Sequence, residues 1–353
     1  MTATTETLAS LGWSNTLNQA ALNLNIENAI PVRVMAVHRD ALEVAGEGAA
    51  DRIPPPHDIA DDDERPTAGD WILIDARTHR VRAVLTRKSL FRRRAAGTDA
   101  RTQLIAANVD TLLIVTSANQ DFNVARIERY LALAHEAEVA PVVLITKADL
   151  CDDPHDFVAK ASALMPGLLV EAIDARDPSL LKTLKPWLGA GQTLAVLGSS
   201  GVGKSTIVNT LMGQSVQETQ GIREDDAKGR HTTTGRSLHK LATGAWLMDT
   251  PGMRELQIAG VADGIEAVFE DIAAVEASCR YSDCTHANEP GCAIRVALES
   301  GDLDPDRLKR YRKLQREDRR NTEAVHEAHK RVRAFGKRVK ASYQHKLNRT
   351  RQW

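Results

Sequence analysis

The stretch Thr193-Leu194-Ala195-Val196-Leu197-Gly198-Ser199-Ser200-Gly201-Val202-Gly203-Lys204-Ser205-Thr206 decides the fold. An apolar run feeds straight into a G-x-x-x-x-G-K-S loop, and the following Ile207-Val208-Asn209-Thr210-Leu211-Met212 reads as helix. A strand, a glycine-rich loop and a helix in that order turn successive backbone N–H groups toward one point, where a helix N-terminus already favours negative charge. Residues Gly198, Ser199, Ser200, Gly201, Val202, Gly203, Lys204, Ser205 and Thr206 are therefore expected to cradle the phosphates of a nucleoside triphosphate. Lys204 is expected to reach the β- and γ-phosphates, and the Ser205 hydroxyl to ligate magnesium.

Two further motifs complete the site. The strand Ala245-Trp246-Leu247-Met248 delivers Asp249-Thr250-Pro251-Gly252. Asp249 is placed to hold a magnesium-bound water, and Gly252 to sense the γ-phosphate through its amide. Neither motif chooses the base. That choice falls to Thr146-Lys147-Ala148-Asp149, at the end of the strand Pro141–Ile145, which matches the guanine-reading N/T-K-x-D pattern. The Asp149 carboxylate can accept from guanine N1–H and the exocyclic amine together, a pair of donors that adenine lacks, while the Lys147 stem packs along the base. The expected substrate is thus GTP, with magnesium. The order is unusual, because the base-reading motif precedes the phosphate loop and D-x-x-G follows it, which makes this a circularly permuted GTPase domain.

The rest of the chain is organised around that domain. Its 353 residues, 42% hydrophobic and 26% charged, exclude a disordered chain, a collagen-like fibre and a disulfide-dense mini-protein, and leave room for several domains. No run approaches the ~18 to 20 apolar residues of a membrane span, and the first residues carry neither a basic leader nor an apolar signal core, so a cytoplasmic protein with no membrane partner is expected. Residues 1–26 read as a helical extension. Residues 27–100 read as short strands of a small barrel or sandwich, with an exposed acidic loop from Ile53 to Asp63 and a basic run of Arg87, Lys88, Arg92, Arg93 and Arg94. Residues 101–262 alternate strand and helix around a mostly parallel sheet. Residues 263–353 are helical apart from a cysteine cluster.

Three of the four cysteines fall within fourteen residues as Cys279-x4-Cys284-x-His286-x5-Cys292. Three thiolates and one imidazole at this spacing suit a closed, tetrahedral structural zinc site. Cys151 is expected to be a buried free thiol. From Arg307 to Trp353 there are seventeen Lys/Arg against four Asp/Glu, a charge of +13 that leaves the preceding residues at −14. A basic tail on an acidic body, together with the strand module and the run around Arg87, offers three candidate RNA surfaces.

The permuted order, the strand module before it, Gln103, Ala106, Ala107, Asn108, Val109 and Asp110, the Gly229-Arg230-His231-Thr232-Thr233-Thr234 stretch and the zinc spacing together resemble the RsgA (YjeQ) family of small-ribosomal-subunit-dependent GTPases. The resemblance implies a multidomain α/β protein: an N-terminal OB-fold β-barrel, a permuted P-loop GTPase domain and a C-terminal helical zinc-binding domain. It also implies a monomer that binds the small ribosomal subunit and its rRNA late in assembly, is stimulated by it and leaves on GTP hydrolysis. Met253 stands where a water-orienting glutamine is usual and cannot do that work, so His231 is the candidate catalytic residue. Thr233 is expected to give its hydroxyl to magnesium. With no built-in arginine finger in view, unstimulated hydrolysis is expected to be slow. Asp174-Ala175 stands where the family has Ser-Ala near the guanine carbonyl, with Ala175 N–H left to read O6.

Overall fold

The computed structural model of the chain describes residues 6–56, 59, 62–94, 102–213, 236–249 and 258–322. In chain order the main elements are α1 (Asn15–Leu24), β1 (Ala29–Val37), β2 (Leu42–Ala45), β3 (Arg52–Ile53), β4 (Trp71–Asp75), β5 (Val81–Val84), β6 (Leu90–Arg94), β7 (Thr102–Ala107) and β8 (Thr111–Ser117). They continue as α2 (Val124–Glu136), β9 (Ala140–Thr146), α3 (Pro154–Ser162), β10 (Leu169–Ala172), α4 (Leu180–Thr183), β11 (Thr193–Gly198), α5 (Lys204–Met212), β12 (Arg236–Lys240) and β13 (Trp246–Asp249). The helices α6 (Ala262–Val268), α7 (Glu270–Ala277), α8 (Ala293–Ser300) and α9 (305–322) close the described chain.

The first five strands are antiparallel, with β1 paired to both β2 and β4, β2 to β3, and β4 to β5. These are the partners of an OB barrel, and among the described residues its β3–β5 seam carries no ladder. Alternation builds the interior: Val32 and Val34 point inward with Leu42, Val44, Ile53, Ile72 and Ile74. The intervening Arg33 faces the other way, into the rest of the molecule. At the start of the expected acidic loop Ile53 is buried, while Pro54 and Asp63 are exposed.

The second half of the sheet runs β10-β9-β8-β11-β13-β12. The four ladders linking β10 through β13 are parallel, and only β12 runs antiparallel at the end. The central strand β8, Thr-Leu-Leu-Ile-Val-Thr-Ser, is buried at every position, as a strand covered by helices on both faces requires. Helix α2 lies against one face and is crossed closely by α6. A Cβ at Gly264 would collide with the Ala132 carbonyl, so the close approach of these two helices depends on that glycine.

Barrel and α/β unit share one sheet, and the barrel's outer face joins the core of the α/β unit. Ala36 and Val37 of β1 pair with Ser237 and Arg236 of β12. Trp71, Leu73, Leu85 and Phe91 belong to the same apolar cluster as Ile105, Leu112, Ile114 and Leu197. The β6–β7 hairpin straddles residue 100, pairing Leu90 with Ala107 and Arg94 with Thr102.

The N-terminal extension does more than form a helix. Before α1 begins, Leu11 is fully buried, Trp13 packs edge-on against Trp71 at 4.8 Å, and the Ser10 carbonyl accepts the Trp246 indole N–H at 2.8 Å. Arg33, also buried, donates to the Leu11 carbonyl and to Thr193 Oγ1 at 2.5 and 2.6 Å. Burial pulls its pKa down to about 10, against the opposing pull of Asp110 and Asp70. Residues 6–13 are therefore a strap across the junction.

Two charge assignments change. Arg87 is not a free RNA contact, because its guanidinium holds the buried Asp70 through two bonds of 2.8 and 2.9 Å and caps the carbonyls of Asp63 and Arg65. Lys88 pairs with Asp110 at 2.8 Å. The first part of the basic block is the packed helix α9, residues 305–322, with Leu308, Tyr311 and Leu314 buried and Lys309, Lys313, Arg316, Arg319 and Arg320 exposed. Cys151 is a free thiol as expected, but only half-buried.

Candidate nucleotide site and metal centre

Parallel strands deliver their carboxyl ends to one edge, and the motifs lie along it: Ser117 on β8, Thr146 on β9, Gly198 on β11 and Asp249 on β13. This is where open α/β sheets bind ligands. Thr146 Oγ1 donates to the Val202 carbonyl at 2.6 Å, so the base-reading turn and the phosphate loop touch despite the 56 residues between them. Permutation has changed the order of the chain and left the contact in place.

The loop geometry follows from its glycines. A Cβ on Gly198 would strike the Val115 carbonyl of the neighbouring strand, and Gly203 adopts φ 95° as the chain turns into α5. Lys204 is buried at the start of that helix and donates to the Ser199 carbonyl. The Ser205 hydroxyl is buried without a hydrogen-bond partner. An orphaned hydroxyl costs free energy unless something fills it, and a magnesium ion at the phosphates fits that donor. Asp249 ends β13 half-buried, opposite Ser237.

At the base end, Lys147 takes the left-handed conformation, φ 59°, which turns the chain so that Ala148 N–H reaches the Ile173 carbonyl at 3.3 Å. The TKAD turn is thereby tied to the Asp174-Ala175 turn. The Ala175 carbonyl accepts from Thr210 Oγ1 of α5 at 2.8 Å, which fixes that turn to the phosphate-loop helix. Asp174 folds over its own turn, accepting from Arg176 N at 2.9 Å and from Arg176 Nε at 3.1 Å. The Arg176 hydrogen bonds, side chain then backbone, hold the Asp174 carboxyl below its ordinary range. Arg176 also bonds Asp149 Oδ2 at 2.6 Å. Its role had no motif to announce it, although it directly follows the Asp174-Ala175 turn.

Arg126 was likewise silent in the sequence. It extends from α2 and donates to Ser199 Oγ of the phosphate loop at 2.9 Å. Less than a turn further on, Glu128 is fully buried and accepts from Arg310 and Arg307 of α9 at 2.8 and 3.3 Å, and Arg129 pairs with Glu317. One helix therefore touches both the phosphate loop and the C-terminal helix.

Cys279, Cys284, His286 and Cys292 converge, with their ligand atoms all within 4.8 Å of one another. His286 Nδ1 stands 3.5 Å from Cys279 Sγ and 3.6 Å from Cys292 Sγ. Tetrahedral zinc with ordinary Zn–S and Zn–N lengths would separate S and N by about 3.5 Å, so the donor set fits. The other ring nitrogen, Nε2, faces Glu276 Oε1 at 3.3 Å, the outer carboxylate that orients a metal-bound histidine. Glu276 also accepts from Tyr311 OH at 2.9 Å, tying the centre to α9. The Glu289 carboxylate organises the intervening turn, accepting from the backbone N–H groups of Thr285, Ala287 and Asn288.

His231, Thr233 and Gly252 lie outside the described residues, as do the rest of the GRHTTT stretch and residues 323–353. Among the described residues no helix is long and apolar enough to cross a membrane.

A phosphate loop, the Asp249 that opens D-x-x-G, and TKAD on one sheet edge, in permuted order, define a circularly permuted P-loop GTPase. Comparison with known proteins agrees. Residues 84–259 match the RsgA GTPase family. The chain is 49% identical over 326 residues to the small ribosomal subunit biogenesis GTPase RsgA of Mesorhizobium japonicum, covering 91% of this chain and 93% of that one. It is 45% identical over 335 residues to RsgA 2 of Vibrio parahaemolyticus, covering 95% and 92%. The crystal structure of YjeQ from Thermotoga maritima superposes with a TM-score of 0.60 at 25% identity, covering 81% of this chain and 97% of that one. YloQ, described as a circularly permuted GTPase, shares the fold with a TM-score of 0.55 at 20% identity, covering 81% and 94%. The chain belongs to the RsgA GTPase family and is a GTP-hydrolysing enzyme.

Proposed function

We propose that this GTPase acts in late maturation of the small ribosomal subunit, binding its rRNA, being stimulated by it and leaving on hydrolysis. The observation that carries the reading is the contact of TKAD with the phosphate loop in a chain 49% identical, nearly end to end, to a protein named for small-subunit biogenesis. In this reading residues 27–100 and 263–353 hold rRNA on either side of the nucleotide domain at 101–262, behind the extension at 1–26, and the protein is a cytoplasmic monomer.

The residues divide the work. Asp149 accepts from the guanine N1–H and amine, with Thr146, Lys147 and Ala148 shaping the turn. Phosphoryl transfer asks for positioning and charge neutralisation more than covalent chemistry. Backbone N–H groups from Gly198 to Thr206 hold the phosphates, and Lys204 exchanges the Ser199 carbonyl for phosphate oxygens. Ser205, Thr233 and Asp249 would hold a magnesium ion, which when bound neutralises charge on the β- and γ-phosphates. His231 orients the attacking water, a task Met253 cannot perform. Cys279, Cys284, His286 and Cys292 would hold one structural zinc ion.

The test is GTP turnover by the purified protein, alone and with small or large ribosomal subunits, with ATP as control. Large stimulation by small subunits alone is expected, with His231→Ala removing turnover at retained GTP affinity. No stimulation by either subunit, with GTP still bound, overturns the reading and leaves GTP as a mere gate on RNA binding.

A further inference from the structure

We infer that Arg176 is a specificity-determining residue of the guanine site, a clamp that holds the Asp149 carboxylate in the orientation that reads the base. The inference rests on Asp149 reading guanine and adds a residue to that site. Its basis is a continuous chain of contacts. Asp174 fixes the Arg176 backbone N–H at 2.9 Å, and accepts Arg176 Nε and Nη2 at 3.1 and 3.2 Å. The same Nη2 reaches Asp149 Oδ2 at 2.6 Å. The turn that carries both residues is bound to α5 through Thr210 and to the TKAD turn through Ala148 N–H.

A carboxylate offers about four lone-pair sites, and a guanine edge takes two of them, one on each oxygen. The Arg176 bond to Oδ2 leaves both oxygens a lone pair free, so base and guanidinium can be held together. Without Arg176, Asp149 ends a turn with its carboxylate free to rotate, and the two-point match to N1–H and the amine must be ordered when nucleotide binds. A planar guanidinium fixes that rotation better than a lysine would. The acidic residue at 174 is the anchor of the clamp. Arg176 is 67% exposed, so its effect is moderate.

The test compares GDP with IDP, which keeps N1–H and O6 but lacks the amine that Asp149 reads. Titration calorimetry is run on the full-length wild type, Arg176→Ala, Arg176→Lys and Asp174→Ala, each with its thermal unfolding. Arg176→Ala is expected to weaken GDP about three- to tenfold and IDP less, narrowing the GDP-to-IDP ratio, and to raise the KM for GTP at unchanged kcat. Arg176→Lys should recover part of the ratio, and Asp174→Ala should lose part of it. Tighter GDP binding by Arg176→Ala would show that the arginine competes with the base. Equal weakening of both nucleotides together with lower thermal stability would show a structural prop. Either result overturns the clamp. Asp149→Asn tests the underlying reading separately, because its amide should reject GDP and accept xanthosine diphosphate. If that variant binds GDP as the wild type does, the guanine assignment fails whatever Arg176 does.

Discussion

The nucleotide-binding sheet is flanked by two attachments that share its core and differ in what reinforces the packing. On the barrel side the contact is apolar and covalently continuous: β1 extends the sheet, Trp71, Leu73, Leu85 and Phe91 join the main core, and the strap of residues 6–13 covers the seam. On the C-terminal side Ile265, Val268, Phe269, Ile272, Leu308, Tyr311 and Leu314 join that same core, and ion pairs between α9 and α2 are added to it. Glu128 takes Arg307 and Arg310, Arg129 takes Glu317, and the zinc-type centre reaches α9 through Glu276. A core resists salt, pH and chelators, whereas charges and metal ligands respond to all three. The difference teaches that both attachments are packed into the enzyme's core, and that the C-terminal one adds a layer of charges and metal ligands that conditions can weaken.

The largest effect should come from the metal centre. Removing zinc with a chelator, or Cys279→Ser, withdraws a binding free energy of about 10 kcal/mol or more from a small loop-rich unit. Hydrogen exchange across residues 279–303 should accelerate strongly while GDP affinity stays within about twofold. Loss of GDP binding would show that the two ends are not independent. Next comes Trp71→Ala, expected to cost about 3 to 5 kcal/mol as a large cavity in the shared core, read as a lower midpoint of unfolding for barrel and GTPase together. Two separate transitions would break the claim that they are one unit. Glu128→Ala takes the carboxylate from Arg310 at a fully buried position, leaves Arg307 with Asp271, and should cost about 3 kcal/mol, with the loss confined to α9 by hydrogen exchange and smaller at high salt.

The smallest effect belongs to the strap. Glu6 bonds Lys240 at 2.6 Å, and that bond holds its carboxyl below the ordinary value. A depressed carboxylate contributes stability above its unfolded pKa of about 4.5 and loses it as pH falls through the lower folded value. Glu6→Gln should therefore cost about 0.5 kcal/mol at neutral pH and nothing at low pH, checked by denaturant titration at both. An equal cost at both would assign the contact to packing.

The nucleotide and metal sites were legible in the sequence because their chemistry is local. A phosphate loop needs its glycines, lysine and serine within a few residues, and the Cys3His cluster spans fourteen. What was hidden depends on partners that only the fold supplies. Arg87 reads as part of a basic run until Asp70 appears opposite it, and Arg126 and Arg176 acquire meaning from Ser199 and Asp149, at separations of 73 and 27 residues. The strap had the same defect as a signal: nothing in residues 6–13 says that Trp246 lies above them. Alternation marked the barrel strands, yet not that one face of β1 would look outward into a second core.

The strap also sets a timetable. Its partners are far along the chain: Thr193 is bridged to it by Arg33, Lys240 bonds Glu6, and Trp246 bonds the Ser10 carbonyl across 236 residues. Residues 6–13 leave a ribosome well before β13 and cannot complete their docking until it has followed them. At ordinary synthesis rates that interval is on the order of 10 to 50 s. Throughout it the strap lacks its Lys240 and Trp246 partners, so the growing chain is most vulnerable to misassociation before β13 completes the sheet edge that carries Asp249.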